Sequence, residues 1–418
     1  MAKITDTDRS IVRSLAERVR EIAGDPVHAE TAAAWTRLNG LQAERPLIWI
    51  NEIPWHEMEL DRELKLTCED AFCRGVENRL RRTIYEWEHL PADMVVEAIY
   101  SVPLVVHDSG FNMCVDSDFI TQHQAGGIVS QGYHSQFQDV RDLEKIQFPE
   151  LQHDAAASER NVQQADELLG DILEVRACGI VHSWFAPWDV LVTWWGVEQA
   201  MMDLVMKPEL VHAAMERLTQ AYLERLRQWQ ELNVLSVTSG NYRVGSGGLA
   251  YTNELPAHGF DAQHVRPLDQ WGCGTAQIFT GVSPAMHEEF AFAYEKKWME
   301  QFGLTYYGCC DVLHDKVAML AALPNLRKVS MSPLADLDKA VENLNGRYVI
   351  SHKPNPAIFA ADHWNLAQAR ENLERALEQT QGCVVEIIMK DVSTVREEPQ
   401  RLWEWAAMAS EVVRKRFE

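Results

Sequence analysis

The chain has 418 residues, 46% of them hydrophobic and 24% charged, a globular composition with enough apolar material for a large core. Its 62 Asp and Glu against 39 Lys and Arg leave a formal charge of -23, a field that repels nucleic acid and anionic membrane surfaces, so polyanion binding would need a local basic pocket. The opening "MAKITDTDRS" lacks the order of a signal peptide, and no apolar run approaches the ~20 residues that span a bilayer; a cytoplasmic location is expected.

In chain order, a polar helical opening, "TDRSIVRSLAERVREIAG", makes residues 1–45 an N-terminal helical extension. "RPLIWINEIPW" then reads as a first buried strand. Cys68 and Cys73 follow in a helix-like run, five residues apart and so off a common helix face, as suits buried thiols. Further apolar, β-branched runs come at "MVVEAIYSVPLVVHDSG", "GIVHSWFAPWDVLVTWWG", "NVLSVTSGN", "LTYYGCC", "LRKVSMSP", "RYVISHKPNP" and "CVVEIIMKD". Helical periodicity separates most of them, as in "GVEQAMMDLVMKPELVHAAMERLTQAYLERLRQWQELN". Alternating buried strands and amphipathic helices indicate an α/β fold with a parallel sheet covered by helices. About eight such repeats over residues 46–418 predict a (β/α)8 TIM-type barrel.

In such a barrel the chemistry gathers at the C-terminal ends of the strands. Those ends carry Glu52 and Trp55, His107 and Asp108, His182 and Trp184, then Ser239 and Asn241. The later ends carry Tyr307, Cys309 and Cys310, Ser330 and Ser332, His352 and Lys353, and finally Glu386, Lys390 and Asp391. One or two polar residues at a strand end are ordinary turn chemistry, but histidine, cysteine, lysine and carboxylate converging on one face is a site signal. The eight cysteines are scattered without a CxxC pair, as expected for thiols in a reducing compartment.

Two long irregular stretches, residues 108–137 and 242–281, are expected to wall the mouth, with His258, His264, Trp271 and Cys273 folding over it. The GSGG at 245–248 has no Gly-Lys-Ser/Thr continuation, so flexibility is its expected role rather than phosphate binding. Trp49, Trp55, Trp184, Trp188, Trp194 and Trp195 lie near strand ends, where indole rings suit a flat or methylated small molecule.

The segments "GVEQAMMDLVMKPELVHAAMERLTQAYLERL", "GVSPAMHEEFAFAYEKKWMEQFG" and "YYGCCDVLHDKVAMLAALPNLRKVSMSP", with "VRDLEKIQFPELQHD" more weakly, resemble the uroporphyrinogen decarboxylase superfamily. That superfamily includes corrinoid-dependent methyltransferases, and the resemblance implies a (β/α)8 barrel. The decarboxylase branch grips its tetrapyrrole with an arginine motif near the N-terminus. Here "ERPLIWINEIPWHEM" offers Arg45 alone, so uroporphyrinogen is not the expected substrate.

The methyltransferase branch binds zinc through His-x-Cys on one strand and a later cysteine. Tyr307-Gly308-Cys309 stands where His-x-Cys would be, matching the cysteine and not the histidine. The resemblance implies zinc at this cysteine; because zinc accepts Cys, His and carboxylate, Cys309 or Cys310 with Glu386 and His314 or His352 could hold it, and the expected set is Cys309, Glu386 and one histidine with an open position for substrate. A helix starting near Asp311 would place His314 on the face of Cys310 and lend thiolate character even without metal. The expected function is methyl transfer between a small organic substrate and a corrinoid on a separate protein. Cys309, Cys310, His352 and Lys353 are the catalytic candidates; Glu52, Trp55, His107, His182, Trp184, Tyr307 and Lys390 are the substrate-binding ones. The alternative is a decarboxylase of a small organic acid, with Lys353, Lys390 and His352 holding carboxylate. A homodimer is compatible with either.

Overall fold

Short β-branched runs bounded by glycine, proline or aspartate become strands, and the runs between them with apolar residues at three and four become helices. The computed structural model describes residues 4–122 and 129–417. Its strands are β1 (Leu47–Ile50), β2 (Ile99–Pro103), β3 (Val106–Asp108), β4 (Ser117–Gln122), β5 (Val129–Tyr133), β6 (Leu151–His153) and β7 (Glu174–Cys178). They continue with β8 (Ser183–Phe185), β9 (Trp271–Gly274), β10 (Leu304–Tyr307), β11 (Leu326–Met331), β12 (Val349–His352) and β13 (Val385–Met389).

Seven strands form one sheet in the order β1–β13–β12–β11–β10–β9–β8, parallel throughout. Parallel neighbours need crossovers, which the helices Ala293–Met299, Leu337–Leu344 and Leu366–Gln379 help to supply. β2 pairs with β7 in parallel, while β3 with β6 and β4 with β5 are antiparallel. The expected parallel α/β sheet is present; among the described residues no ladder joins its edge strands β1 and β8 into a closed barrel.

Two expected strands come out differently. "NVLSVTSGN" contributes one parallel bridge, Leu235 to Ile180. In "GIVHSWFAPWDVLVTWWG" the strand is confined to β8, and the second half is the helix Pro187–Trp195, opened by its proline and buried at Trp188, Leu191, Val192, Trp194 and Trp195. A helix buried around most of its circumference reads as a continuous apolar run, which periodicity cannot tell from a strand. Trp188, Trp194 and Trp195 are therefore core, with the Trp188 indole donating to Phe290 O at 2.9 Å.

Strand alternation divides the sheet into two faces. Val329, Met331, Ile350, Ile387 and Met389 join the large core beneath the helices. On the other face the register sets Tyr306 beside Lys328, Ser330 beside Ser351, and Ser351 beside Glu386. This polar face is closed off by the buried segment Val244–Ala250 and by Trp35 of the helix Val27–Asn39. Lys328 Nζ meets Glu386 Oε2 at 2.7 Å with both side chains fully buried.

The GSGG expectation is corrected here. A Cβ at Gly248 would stand 2.2 Å from the Trp35 ring, and one at Gly247 would stand 2.3 Å from Glu386 Oε1. Close packing, not flexibility, is what requires glycine. Trp271 and Cys273 also leave the expected lid, since they lie buried on β9; His258 and His264 are exposed. Of the other expected wall, residues 123–128 lie outside the described residues, and the rest includes the β4–β5 ladder. Among the described residues no helix is long and apolar enough to cross a membrane.

Candidate active site

β10 ends at Tyr307, and Gly308 adopts φ 97°, a left-handed conformation that glycine reaches without strain. Cys309 and Cys310 thus leave the strand before they could alternate across it. The Cys309 N–H donates to Asp311 Oδ2 at 2.8 Å, Thr275 Oγ1 donates to the same oxygen at 2.7 Å, and Ser330 Oγ donates to Cys309 O at 2.7 Å. These bonds pin Cys309 between the ends of β9 and β11. A helix was expected to start near Asp311; Asp311 braces this turn instead, and the next helix begins only at Val317.

The Cys309 thiol is half-buried and the Cys310 thiol exposed, with their sulfurs 3.8 Å apart. Lys390, at the end of β13, places Nζ 3.3 Å from Cys309 Sγ, 2.8 Å from Asp391 Oδ2 and 3.4 Å from Glu52 Oε2. Glu52 accepts from Arg243 at 2.7 Å and from the Asp391 N–H at 3.2 Å, and Cys310 Sγ donates to Asp391 Oδ2 at 3.5 Å. Glu52 and Asp391 both hold positive φ, 54° and 55°, a costly backbone state for residues with a Cβ that persists where surroundings impose it.

This arrangement sets the protonation states. The hydrogen bond from Cys310, aided by the charges of Lys390 and Lys353, outweighs burial and brings the Cys309 thiol down to about 6. The same bond and burial push Cys310 up, so it keeps the proton. Burial would lower Lys390, but Cys309, Asp391 and Glu52 hold it above the ordinary lysine value. Lys353 goes the other way, with burial pulling its amine down to about 7. Lys353 Nζ donates to Ser351 Oγ at 2.8 Å and contacts Tyr306 Oη, which is itself 3.0 Å from Ser246 Oγ.

Of the residues expected at the site, the structure gathers Glu52, Cys309, Cys310, Lys353 and Lys390. His182 is at the rim, where Nδ1 lies 3.4 Å from Arg243 O and the ring stacks on Trp184 with centroids 5.9 Å apart. Trp55 carries the Arg82 guanidinium 4.7 Å over its ring. The remaining expectations are corrected. Tyr307 faces the helical side, buried between His287 Nε2 at 2.7 Å and Glu295 Oε2 at 2.5 Å. His352 also faces outward, lining a cavity of about 430 Å³ with Ser332, Asn372, Leu373 and Trp405. His107 sits on the separate β3–β6 ladder. Arg45 is bound to Asp93 at 2.5 Å, a structural pairing rather than a substrate clamp.

The expected zinc set does not assemble. Glu386 is turned to Lys328, and His314 is held between the Asp336 N–H at 3.3 Å and Asp315 at 3.1 Å. Among the described residues no group of three or more His, Cys, Asp or Glu side chains is placed to hold a metal ion. The sequence reading missed Arg243, Tyr306 and Lys328. Lys328 and Tyr306 were readable in principle, as polar groups at alternate positions of otherwise apolar strands; nothing local marks Arg243.

No protein-family model matches the chain, nor does any curated protein. A solved methyltransferase from Methanosarcina mazei shares its fold at 11% identity, with a TM-score of 0.50 over 91% of this chain and 98% of that one. At that identity the likeness concerns the fold alone.

Proposed function

We propose that this chain is a methyltransferase, moving a methyl group between a small organic substrate at the strand ends and a corrinoid carried by a separate protein, as the resemblance to the uroporphyrinogen decarboxylase superfamily implies. One observation carries the reading: Cys309 lies half-buried at the C-terminal edge of a parallel sheet with Lys390 Nζ 3.3 Å from its sulfur, surroundings that favour its ionised form. A thiolate is the soft nucleophile that methyl transfer needs. Cys309 Sγ attacks the methyl carbon in line, the S–CH3 bond forms as the bond to the donor atom breaks, and that electron pair stays on the donor. In a second displacement the acceptor attacks the same methyl carbon in line, the S–CH3 bond breaks, and its electron pair returns to Cys309 as thiolate.

A decarboxylase would need cations free to hold a carboxylate. Of the groups expected to do so, Lys390 is engaged by Glu52 and Asp391, Lys353 is buried against Ser351 and Tyr306, and His352 lines a separate cavity, which favours methyl transfer. The test uses the full chain with methylcobalamin as donor. Loss of the cobalt-bound methyl should accompany a gain of one CH2 unit on the peptide carrying Cys309. Cys309→Ser should abolish both, and demethylation at the wild-type rate in that variant would overturn the reading.

A further inference from the structure

A lysine just past the last sheet strand is an unusual neighbour for a nucleophilic cysteine, and its surroundings are unusually complete. An ammonium has three N–H donors. Around Lys390 stand three acceptors of negative charge from three parts of the chain: Cys309 Sγ at 3.3 Å, Glu52 Oε2 at 3.4 Å and Asp391 Oδ2 at 2.8 Å. The lysine side chain is 4% exposed, so water contributes little to its solvation. Cys310 turns to the same group, donating to Asp391 Oδ2 at 3.5 Å. The acidic and thiol groups with which this mouth could bind a cation are thus already directed at Nζ or at its partners.

We infer that Lys390 is the built-in counter-ion of the Cys309 thiolate, standing where a metal ion would otherwise stand, so that this site activates sulfur without zinc. The inference rests on Cys309 being the nucleophile of the proposed function. Two other observations agree with it. Glu386, the carboxylate that would have completed a zinc site, has its own buried cation in Lys328 at 2.7 Å. The position matching the family's zinc histidine holds Tyr307, whose ring lies on the far face of the sheet. A divalent ion entering among Cys309, Glu52 and Asp391 would meet a tethered positive charge that cannot diffuse away. Lys390 is a positioning residue in this account: it acts through the sulfur, adding its charge to the hydrogen bond from Cys310 and fixing the sulfur's direction. Arginine should preserve the charge, whereas glutamine preserves length and hydrogen bonding without it.

Two measurements on the full-length protein test this. The first is zinc content by elemental analysis after incubation with zinc and dialysis; substoichiometric metal is expected, and one tightly held zinc per chain that disappears in Cys309→Ala would overturn the inference. The second is the pH profile of Cys309 alkylation by iodoacetamide, read by mass spectrometry of its peptide. Lys390→Gln should move the midpoint up by about one pH unit or more, a loss of roughly tenfold in rate on the acid side. Lys390→Arg should restore most of it. A Lys390→Gln profile coincident with wild type would overturn the inference, and circular dichroism of both variants separates this from misfolding. Neither measurement involves methyl transfer. A shifted profile without methyl transfer would sink the proposed function and leave the counter-ion standing; the opposite pattern would do the reverse.

Discussion

Replacing Glu386 with glutamine should cost this protein a large part of its stability. Lys328 and Glu386 are both fully buried and 2.7 Å apart, so solvent screening does not discount their attraction as it does for a surface pair. Without the carboxylate, the ammonium keeps the Trp35 and Trp271 rings, 5.6 and 5.7 Å from Nζ, and these cannot replace a full charge. Breaking such a pair typically costs about 3–5 kcal/mol, against a total stability of about 5–15 kcal/mol for a native protein. Removing both charges is a different perturbation: Lys328→Met with Glu386→Leu should lie within about 1–2 kcal/mol of wild type, because each partner's desolvation penalty disappears along with the attraction. Burial already lowers the Lys328 pKa even with Glu386 present. The folded state of Glu386→Gln therefore resists protonation of Lys328 more than the unfolded chain does, and the deficit is full below the folded pKa and relieved as pH rises toward the unfolded lysine value of about 10.4. Urea unfolding followed by tryptophan fluorescence measures all of this through the midpoint at constant slope. A single-variant loss under about 1 kcal/mol, or a double variant as unstable as the single, would refute the reasoning.

Iodoacetamide should alkylate Cys309 in the wild-type protein with a midpoint near pH 6 and leave Cys310 largely unmodified at neutral pH; a Cys309 midpoint in the ordinary thiol range near pH 8.5 contradicts the site electrostatics. Gly248→Ala should lose about 1–3 kcal/mol by overpacking against Trp35, whereas Gly281→Ala, with open space around its Cβ position, should not; equal thermal midpoints for the two would defeat the close-packing account. Tyr307→Phe should cost about 1–3 kcal/mol for each buried partner left unpaired, here His287 and Glu295, while leaving the Cys309 alkylation profile in place. A profile shift without loss of stability would place Tyr307 at the site after all.

Parallel α/β architecture was readable because crossover helices and doubly buried strands leave different periods in the sequence. The reading failed where that contrast vanishes. In "WFAPWDVLVTWW" the helix Pro187–Trp195 is buried at six of its positions, so no polar stripe betrays its period. β9 failed for the opposite reason. "WGCG" is four residues with two glycines, too short and too glycine-rich to stand out from a loop, yet its small residues admit Phe302 and Met299 against the backbone. Strand parity was the most useful signal left unused: Tyr306 and Tyr307 are adjacent, so one had to face the polar side and the other the helices.

The site itself was half legible, and the division has a physical cause. That Cys309 and Lys390 stand at strand ends follows from local pattern plus the rule that parallel sheets gather function there. That Lys390 reaches Cys309 rather than water depends on Glu52 and Arg243, which come from distant parts of the chain. Their arrangement also explains how a chain of net charge -23 keeps a thiolate at its mouth. Glu52 shares its two oxygens between Arg243 and Lys390, and Lys390 makes its closer contact to Asp391. Across Arg243, Lys390, Glu52 and Asp391 the charges cancel, and the buried Lys353 adds the further positive influence that the thiolate needs. An acidic surface beyond this cluster repels anions at long range but is screened within about 10 Å at ordinary ionic strength, whereas contacts of 3 Å at a half-buried sulfur are not. The overall charge therefore says little about the protonation of this one half-buried sulfur.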